Sequence, residues 1–242
     1  MRPAIVMKQL PLPLGSAVQG RFDTYLAGPN RAAVAQLAAD VPPRAPVYLW
    51  GPAGSGRTHL LQALAHACAQ QGLSCGWFDA GRPLPWTYDE DWALVVLDDV
   101  ERLDESRQQA AFALCVQAQA DGRTWAAAGA VPPVDLPLRD DLRTRLGWGQ
   151  VHALVPLGED ETLAALVTEA ERRGIGLAPD VTRYLLTRFA RDLASLMQLL
   201  DRLDAYSLAR ARAVTVPLLR EMLAEDGEGA VADTGHAQGH AA

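Results

Sequence analysis

The sequence predicts an α/β protein: a parallel-sheet domain organised around a phosphate-binding loop (P-loop), followed by a small all-α domain. Three observations carry the prediction. An apolar run, Val47–Trp50, ends in Gly51-Pro-Ala-Gly-Ser-Gly-Arg57-Thr58 and opens into His59-Leu-Leu-Gln-Ala-Leu-Ala, a strong helix former. Strand, glycine-rich turn and helix in that order are the setting in which G-x-x-x-x-G-[basic]-[ST] holds phosphate. Strand-like and helix-like patterns then alternate across residues 47–155, as parallel pairing through helical crossovers requires. From Gly158 onward the periodic segments are all helical.

Composition narrows the classes. The chain has 242 residues, 49% of them hydrophobic, enough to bury a core in one large or two small domains. A net charge of −7 makes a poor general DNA binder, because phosphate contacts need clustered Lys and Arg; nucleotide and protein partners are favoured instead. Cys68, Cys75 and Cys115 are scattered in apolar contexts without metal or disulfide spacing, as expected of a reducing cytoplasm. No apolar run approaches the roughly 18 residues that span a bilayer, and Lys8 and nearby prolines interrupt any secretory h-region.

Residues 1–20 read as an extended leader: Pro3, Pro11 and Pro13 exclude helix, and Gly15 and Gly20 loosen the chain on its way into the first domain. Within it, Gln9-Leu10-Pro11-Leu12-Pro13-Leu14 is a short stiff ladder of leucines. It suits an apolar groove on a partner, or equally a tether lying on its own domain. Phe22 and Tyr25 look like anchors at the domain edge, and Pro29-Asn30 starts a helix over 31–39 that Pro42, Pro43 and Pro46 end. In the loop itself, Gly51, Gly54 and Gly56 let backbone N–H groups turn inward, and the helix N-terminus adds partial positive charge. Thr58 stands where a hydroxyl can ligate Mg²⁺. Arg57 occupies the place usually held by Lys; a wide planar fork there keeps nucleotide binding but weakens the site's own hydrolysis.

The loop helix stops near Gly72, and a second strand is expected over 74–78. After a polar stretch at 81–91, Trp92–Leu97 ends in Asp98-Asp99, 47 residues beyond Gly51. A buried parallel strand would deliver these carboxylates to its C-terminal edge beside the phosphate loop, Asp98 to Mg²⁺ through water and Asp99 to polarise an attacking water. A helix is expected over 101–120, a fourth strand over 124–128, a turn at 129–133 and a fifth strand over 151–154. Arg139, Arg143 and Arg145 between them form the dense basic cluster of an acidic chain. Past a boundary near Pro156, helices are expected over 159–173, 179–186, 192–203 and 216–224. The domains are therefore a leader (1–20), the α/β domain (21–156), the helical domain (157–225) and a disordered tail (226–242) whose His236 and His240 are too isolated to bind metal.

Together these features resemble an AAA+ nucleotide-binding module with its helical lid. Phe22-Asp-Thr-Tyr25-Leu26-Ala-Gly28-Pro29-Asn30-Arg31 resembles the segment that contacts the adenine end of the nucleotide in the DnaA replication-initiator family. The loop continues with that family's His59-Leu60-Leu61. DnaA-family members carry a helix-turn-helix DNA-binding domain after the lid, and this chain ends about where it would begin. With the Gln9–Leu14 leader, the combination is similar to the Hda branch of the family, the regulatory inactivators of DnaA.

The resemblance implies that Gln9, Leu10, Leu12, Pro13 and Leu14 bind the β sliding clamp of DNA polymerase III. It implies that ADP (or ATP) with Mg²⁺ is held by Phe22, Leu26, Gly51, Gly54, Ser55, Gly56, Arg57, Thr58 and His59, with Asp98 and Asp99 as the Walker B acids and Arg191 as the sensor-2 residue of the lid. Arg145 falls on the arginine finger, which serves the nucleotide of a neighbouring molecule; Arg143 is its nearest rival, and pairing with Asp141 is its structural alternative. Ala130 departs from the polar sensor-1 residue of DnaA-like proteins and argues with Arg57 against efficient hydrolysis. The implied function is a cytoplasmic, replisome-associated adaptor that prevents re-initiation by stimulating ATP hydrolysis on DnaA, without sequence-specific DNA binding or membrane contact and with weak ATPase of its own. The alternatives are an active ATPase of the helicase-loader or transposition-helper type and a DnaA-type DNA binder. Oligomeric state stays open, homo-oligomers included.

Overall fold

The computed structural model describes residues 20–188 and 193–232. Five strands, β1 (Val47–Trp50), β2 (Ser74–Phe78), β3 (Trp92–Leu97), β4 (Thr124–Gly129) and β5 (Gln150–Ala153), form one all-parallel sheet in the order β2-β3-β4-β1-β5. Helices α1 (Arg31–Ala39), α2 (Arg57–Gln70), α3 (Glu105–Ala120) and α4 (Asp140–Leu146) flank it. The central strands are buried on both faces, so they read as continuous apolar runs. Along β3, Val95 and Leu97 pack with Leu114 of α3 and Leu142 of α4, while Leu94 and Val96 pack with Leu60 and Leu64 of α2. The two-residue period of a strand thus divides one run between two cores.

Because every strand points the same way, the sheet has one carboxyl edge and one amino edge. Trp50, Leu97 and Gly129 end strands at the first; Val47, Thr124 and Gln150 begin strands at the second. Strands of four to six residues keep the edges roughly 13–20 Å apart, at about 3.3 Å per residue.

The second domain packs α5 (Glu159–Arg172), α6 (Pro179–Arg188), α7 (Leu193–Arg210) and α8 (Val216–Ala232) around Leu166, Val181, Leu185, Leu196, Leu200, Leu203 and Leu219. Three boundaries differ from the sequence expectation by four residues or more. The helix expected from residue 101 starts at Glu105: Val100–Arg102 is a separate 3₁₀ turn, buried Leu103 is extended, and Asp104 caps α3 by accepting from the Arg107 amide at 2.8 Å. The third lid helix, expected to end at 203, runs to Arg210 with Leu203 buried in the core. The last continues to Ala232, where a tail had been expected from residue 226; a nucleated helix gains one hydrogen bond per added residue.

Candidate nucleotide site and the basic segment

The phosphate loop leaves β1 at Gly51 and enters α2 at Arg57. Its glycines are required by space and by backbone. A Cβ at Gly51 would lie 2.3 Å from the Leu154 carbonyl oxygen, and one at Gly56, where φ is +86°, would lie 2.5 Å from the Tyr25 ring. No side chain caps the α2 N-terminus, so its first N–H groups face the loop. The Ser55 hydroxyl is buried without a partner.

Asp98 is fixed at the carboxyl edge because its amide donates to Phe78 O at 2.9 Å, extending the β2–β3 ladder by one residue. It is 7% exposed. Burial pushes its carboxyl up to about 6, opposed by the Thr58 hydroxyl and the Asp99 amide, and assisted by the Asp99 charge. Asp99 turns through the left-handed region at φ 48°. Its carboxylate meets Arg57 at 3.4 Å, and a second Arg57 nitrogen lies 3.6 Å from Glu101. That nitrogen and one Glu101 oxygen are buried without hydrogen bonds. Arg57 is thus drawn towards two carboxylates at once.

The segment before α1 ties the loop to the lid junction. The Tyr25 hydroxyl donates to Ser55 O at 2.9 Å. Asn30, 5% exposed, donates to Tyr25 Oη at 3.0 Å and to Val155 O at 2.8 Å, and accepts from the Val155 amide at 2.9 Å. His59 Nε2 donates to Arg21 O at 3.0 Å and its ring stands edge-on to Tyr25 at 5.4 Å; burial lowers its pKa. Phe22 packs on the α2-side core, whereas Leu26 is 44% exposed.

These residues fit a nucleotide with Mg²⁺. The loop is a cradle that any Cβ at Gly51 or Gly56 would fill, Ser55 and Arg57 keep unsatisfied polar atoms, and Thr58 and Asp98 stand together. Among the described residues no group of three or more His, Cys, Asp or Glu could hold a metal alone. A Mg²⁺ at Thr58 and Asp98 would therefore draw its other ligands from phosphate and water, as this ion usually does.

Arg145 is elsewhere. Its guanidinium donates to the Gln119 amide oxygen and lies 5.1 Å from the Phe112 ring centroid and 4.6 Å from that of Trp148. Gln119 precedes the start of β4 and Trp148 the start of β5, so Arg145 sits by the amino edge of the sheet, opposite its own phosphate loop. The Asp141 alternative is not realised: Asp141 pairs with Arg139 at 2.7 Å, and Asp140 pairs with Arg143 at 2.6 Å. Among the described residues, no carboxylate pairs with Arg145. Half-buried Ala130 follows β4 at the carboxyl edge. Gln9, Leu10, Leu12, Pro13, Leu14 and Arg191 lie outside the described residues.

Sequence reading missed Glu101 and Asn30 as site residues. The first follows Asp98-Asp99 by two positions, a usable signal; the second lies inside the segment that resembles DnaA's adenine-side stretch, but its contact with Val155, 125 residues away, left no signal of its own.

Comparison with known proteins agrees with this geometry. The family model described as "Hda, lid domain" matches residues 159–223, and that for the bacterial DnaA ATPase domain matches residues 18–74. Domain III of Thermotoga maritima DnaA superposes with a TM-score of 0.70 at 18% identity, covering 86% of this chain and 97% of that one. AMPPCP-bound DnaA from Aquifex aeolicus gives 0.59 at 19% identity, over 76% of this chain and 64% of that one. The Thermotoga maritima RuvB branch-migration motor gives 0.55 at 13% identity, over 80% and 68%. No described helix is long and apolar enough to cross a membrane. The lid and ATPase-domain matches, on a five-stranded parallel sheet with its own helical unit, identify this chain as an Hda- and DnaA-related AAA+ protein.

Proposed function

We propose that the chain is a regulatory adaptor. It holds ADP in its own phosphate loop, docks on the DNA-loaded sliding clamp through Gln9–Leu14, and presents Arg145 to the triphosphate bound by DnaA. The observation that carries the reading is the separation of the two parts. Arg145 belongs to the amino edge of the sheet and the loop to the carboxyl edge, so any nucleotide this cation serves would be one on another molecule. Arginine fingers supplied in this way are worth about 10³–10⁵ in rate, and clamp tethering adds effective concentration.

Within the chain's own site the residues bind and orient. Loop amides and the α2 N-terminus would hold phosphate, Ser55 and Thr58 would supply hydroxyls, and bound Mg²⁺ would neutralise phosphate charge. Tyr25 and Asn30 hold the adenine-side segment against the loop, and Arg191 would approach from the lid. Hydrolysis in this site is disfavoured: Arg57 engages Asp99, which is then a poor water-orienting group, and the Ala130 side chain offers no polar atom.

The Thr58–Asp98–Asp99 set favours one second reading, an ATPase acting alone in the helicase-loader manner. A reconstituted reaction containing DnaA–ATP, clamp on DNA and this protein decides between them by following DnaA-bound nucleotide. The adaptor converts that ATP to ADP only when all three are present. Vigorous turnover by the pure chain without DnaA overturns the proposal.

A further inference from the structure

At the amino edge of the sheet, away from the phosphate loop, lies a crevice of about 390 Å³. Pro42, Pro43 and Pro46 line it, together with Gln119, Trp125 and Trp148. No Asp or Glu lines it, whereas Arg44 and Arg123 do, in a chain of net charge −7. Arg44 is shared with Asp40 at 3.3 Å. The volume is that of a small-ligand site, and its lining mixes prolines and tryptophans with the polar groups of Arg44, Gln119, Arg123 and Thr124.

Beside it, the Thr124 hydroxyl and two buried donors have no hydrogen-bond partner. Trp125 is 2% exposed, and its indole Nε1 has no partner. Arg145 Nε is also buried without one, while another N–H of the same guanidinium donates to Gln119 Oε1. The guanidinium lies 5.9 Å from the Trp125 ring centroid and 4.6 Å from that of Trp148, so these groups form one cluster. Indole and guanidinium N–H groups can only donate, and a buried unpaired donor is costly. A fork shaped to hold two oxygens is therefore served by one neutral amide oxygen, on a glutamine whose side chain is free to swing into solvent.

We propose that this crevice is a receptor for a small carboxylate carrying an apolar body. The acid takes the place of the Gln119 amide, giving Arg145 a two-oxygen acceptor and Trp125 its missing partner. The apolar body lies against the exposed Trp148 ring and the proline wall. The proposal concerns binding alone and stands whether or not Arg145 serves a second molecule.

The test is a titration of the ¹⁵N-labelled full chain with phenylacetate, followed at the Trp125 indole and Arg145 side-chain N–H resonances, which Trp125→Phe and Arg145→Lys assign. Saturable downfield shifts are expected, with phenylacetamide at least about tenfold weaker and inorganic phosphate without effect; tenfold corresponds to about 1.4 kcal/mol. Gln119→Glu, which supplies its own carboxylate, should abolish the titration. Trp148→Ala, at an exposed position, should keep the fold and weaken phenylacetate at least about tenfold. An acetylated, amidated Phe-Asp dipeptide separates the sources: tighter binding of the dipeptide makes the acid a protein side chain, tighter binding of phenylacetate a free metabolite, and the receptor stands in either case. Absence of saturable shifts, equal affinity for the amide, the same shifts with phosphate, or unchanged binding by Gln119→Glu overturns it.

Discussion

Asn30→Ala should uncouple the adenine-side segment from the phosphate loop and the lid junction. The side chain makes three hydrogen bonds, to Tyr25 Oη, Val155 O and the Val155 amide, at 2.8–3.0 Å, and is 5% exposed. Neutral bonds of this kind net about 0.5–1.5 kcal/mol each. Val155 is 52% exposed, so water recovers part of the loss on that side, and the expected destabilisation is about 2 kcal/mol. For a chain of this length that lowers Tm by about 4–8 °C. Tyr25→Phe removes the bond to Ser55 O and should cost about 1 kcal/mol. The two variants share the Asn30–Tyr25 bond, so the double variant should fall short of additivity by about 0.5–1 kcal/mol. Denaturant unfolding of the four proteins measures this cycle, and ADP affinity should fall in the same order. A loss below about 0.5 kcal/mol for Asn30→Ala, on the scale of an ordinary surface change, or full additivity, would refute the clasp.

Replacing Gln9 and Leu12 by Ala should abolish clamp pull-down and leave ADP binding intact; unchanged pull-down refutes the role of the leader. Arg57→Lys, by relaxing the hold on Asp99 and Glu101, should raise intrinsic turnover about tenfold or less, because Ala130 remains; a gain near 10³, the scale of a complete catalytic set, would show that Arg57 alone silences the site. In the lid, Arg172 and Arg173 hold Glu169 down to about 2. A lowered folded-state value means that this stabilisation is present above the ordinary carboxylate pKa and is lost as pH falls from about 4.5 towards 2. Glu169→Gln should cost about 1 kcal/mol at pH 7 and flatten that acid limb of the unfolding curve; an unchanged limb counts against the pairing.

Local signals carried most of the fold. Strand β3 occupies the residues its apolar run indicates, because a central strand buried on both faces reads as one continuous apolar stretch, and edge strand β2 spans the expected 74–78. The loop was legible for the same reason: each of its glycines answers a backbone need. Leu103 was not, since an apolar residue inside a helical period gives no sign that it will extend to fill the core before Asp104 caps the helix. The site divides in the same way. Asp98 and Asp99 follow from where their strand ends, but the pull of Glu101 on Arg57 crosses 44 positions in the chain. The placement of Arg145 depends on Gln119, Phe112 and Trp148, which meet only once β4 and β5 are in register beside β1.

The central claim is that Arg145 acts on a nucleotide held by another molecule. The direct measurement is the half-life of ATP on DnaA in the presence of clamp-loaded DNA, with the wild-type chain and with Arg145→Ala. The account predicts that the variant binds clamp and ADP as the wild type does while its stimulation of DnaA falls by about 10³ or more. Stimulation by Arg145→Ala at the wild-type level would contradict it.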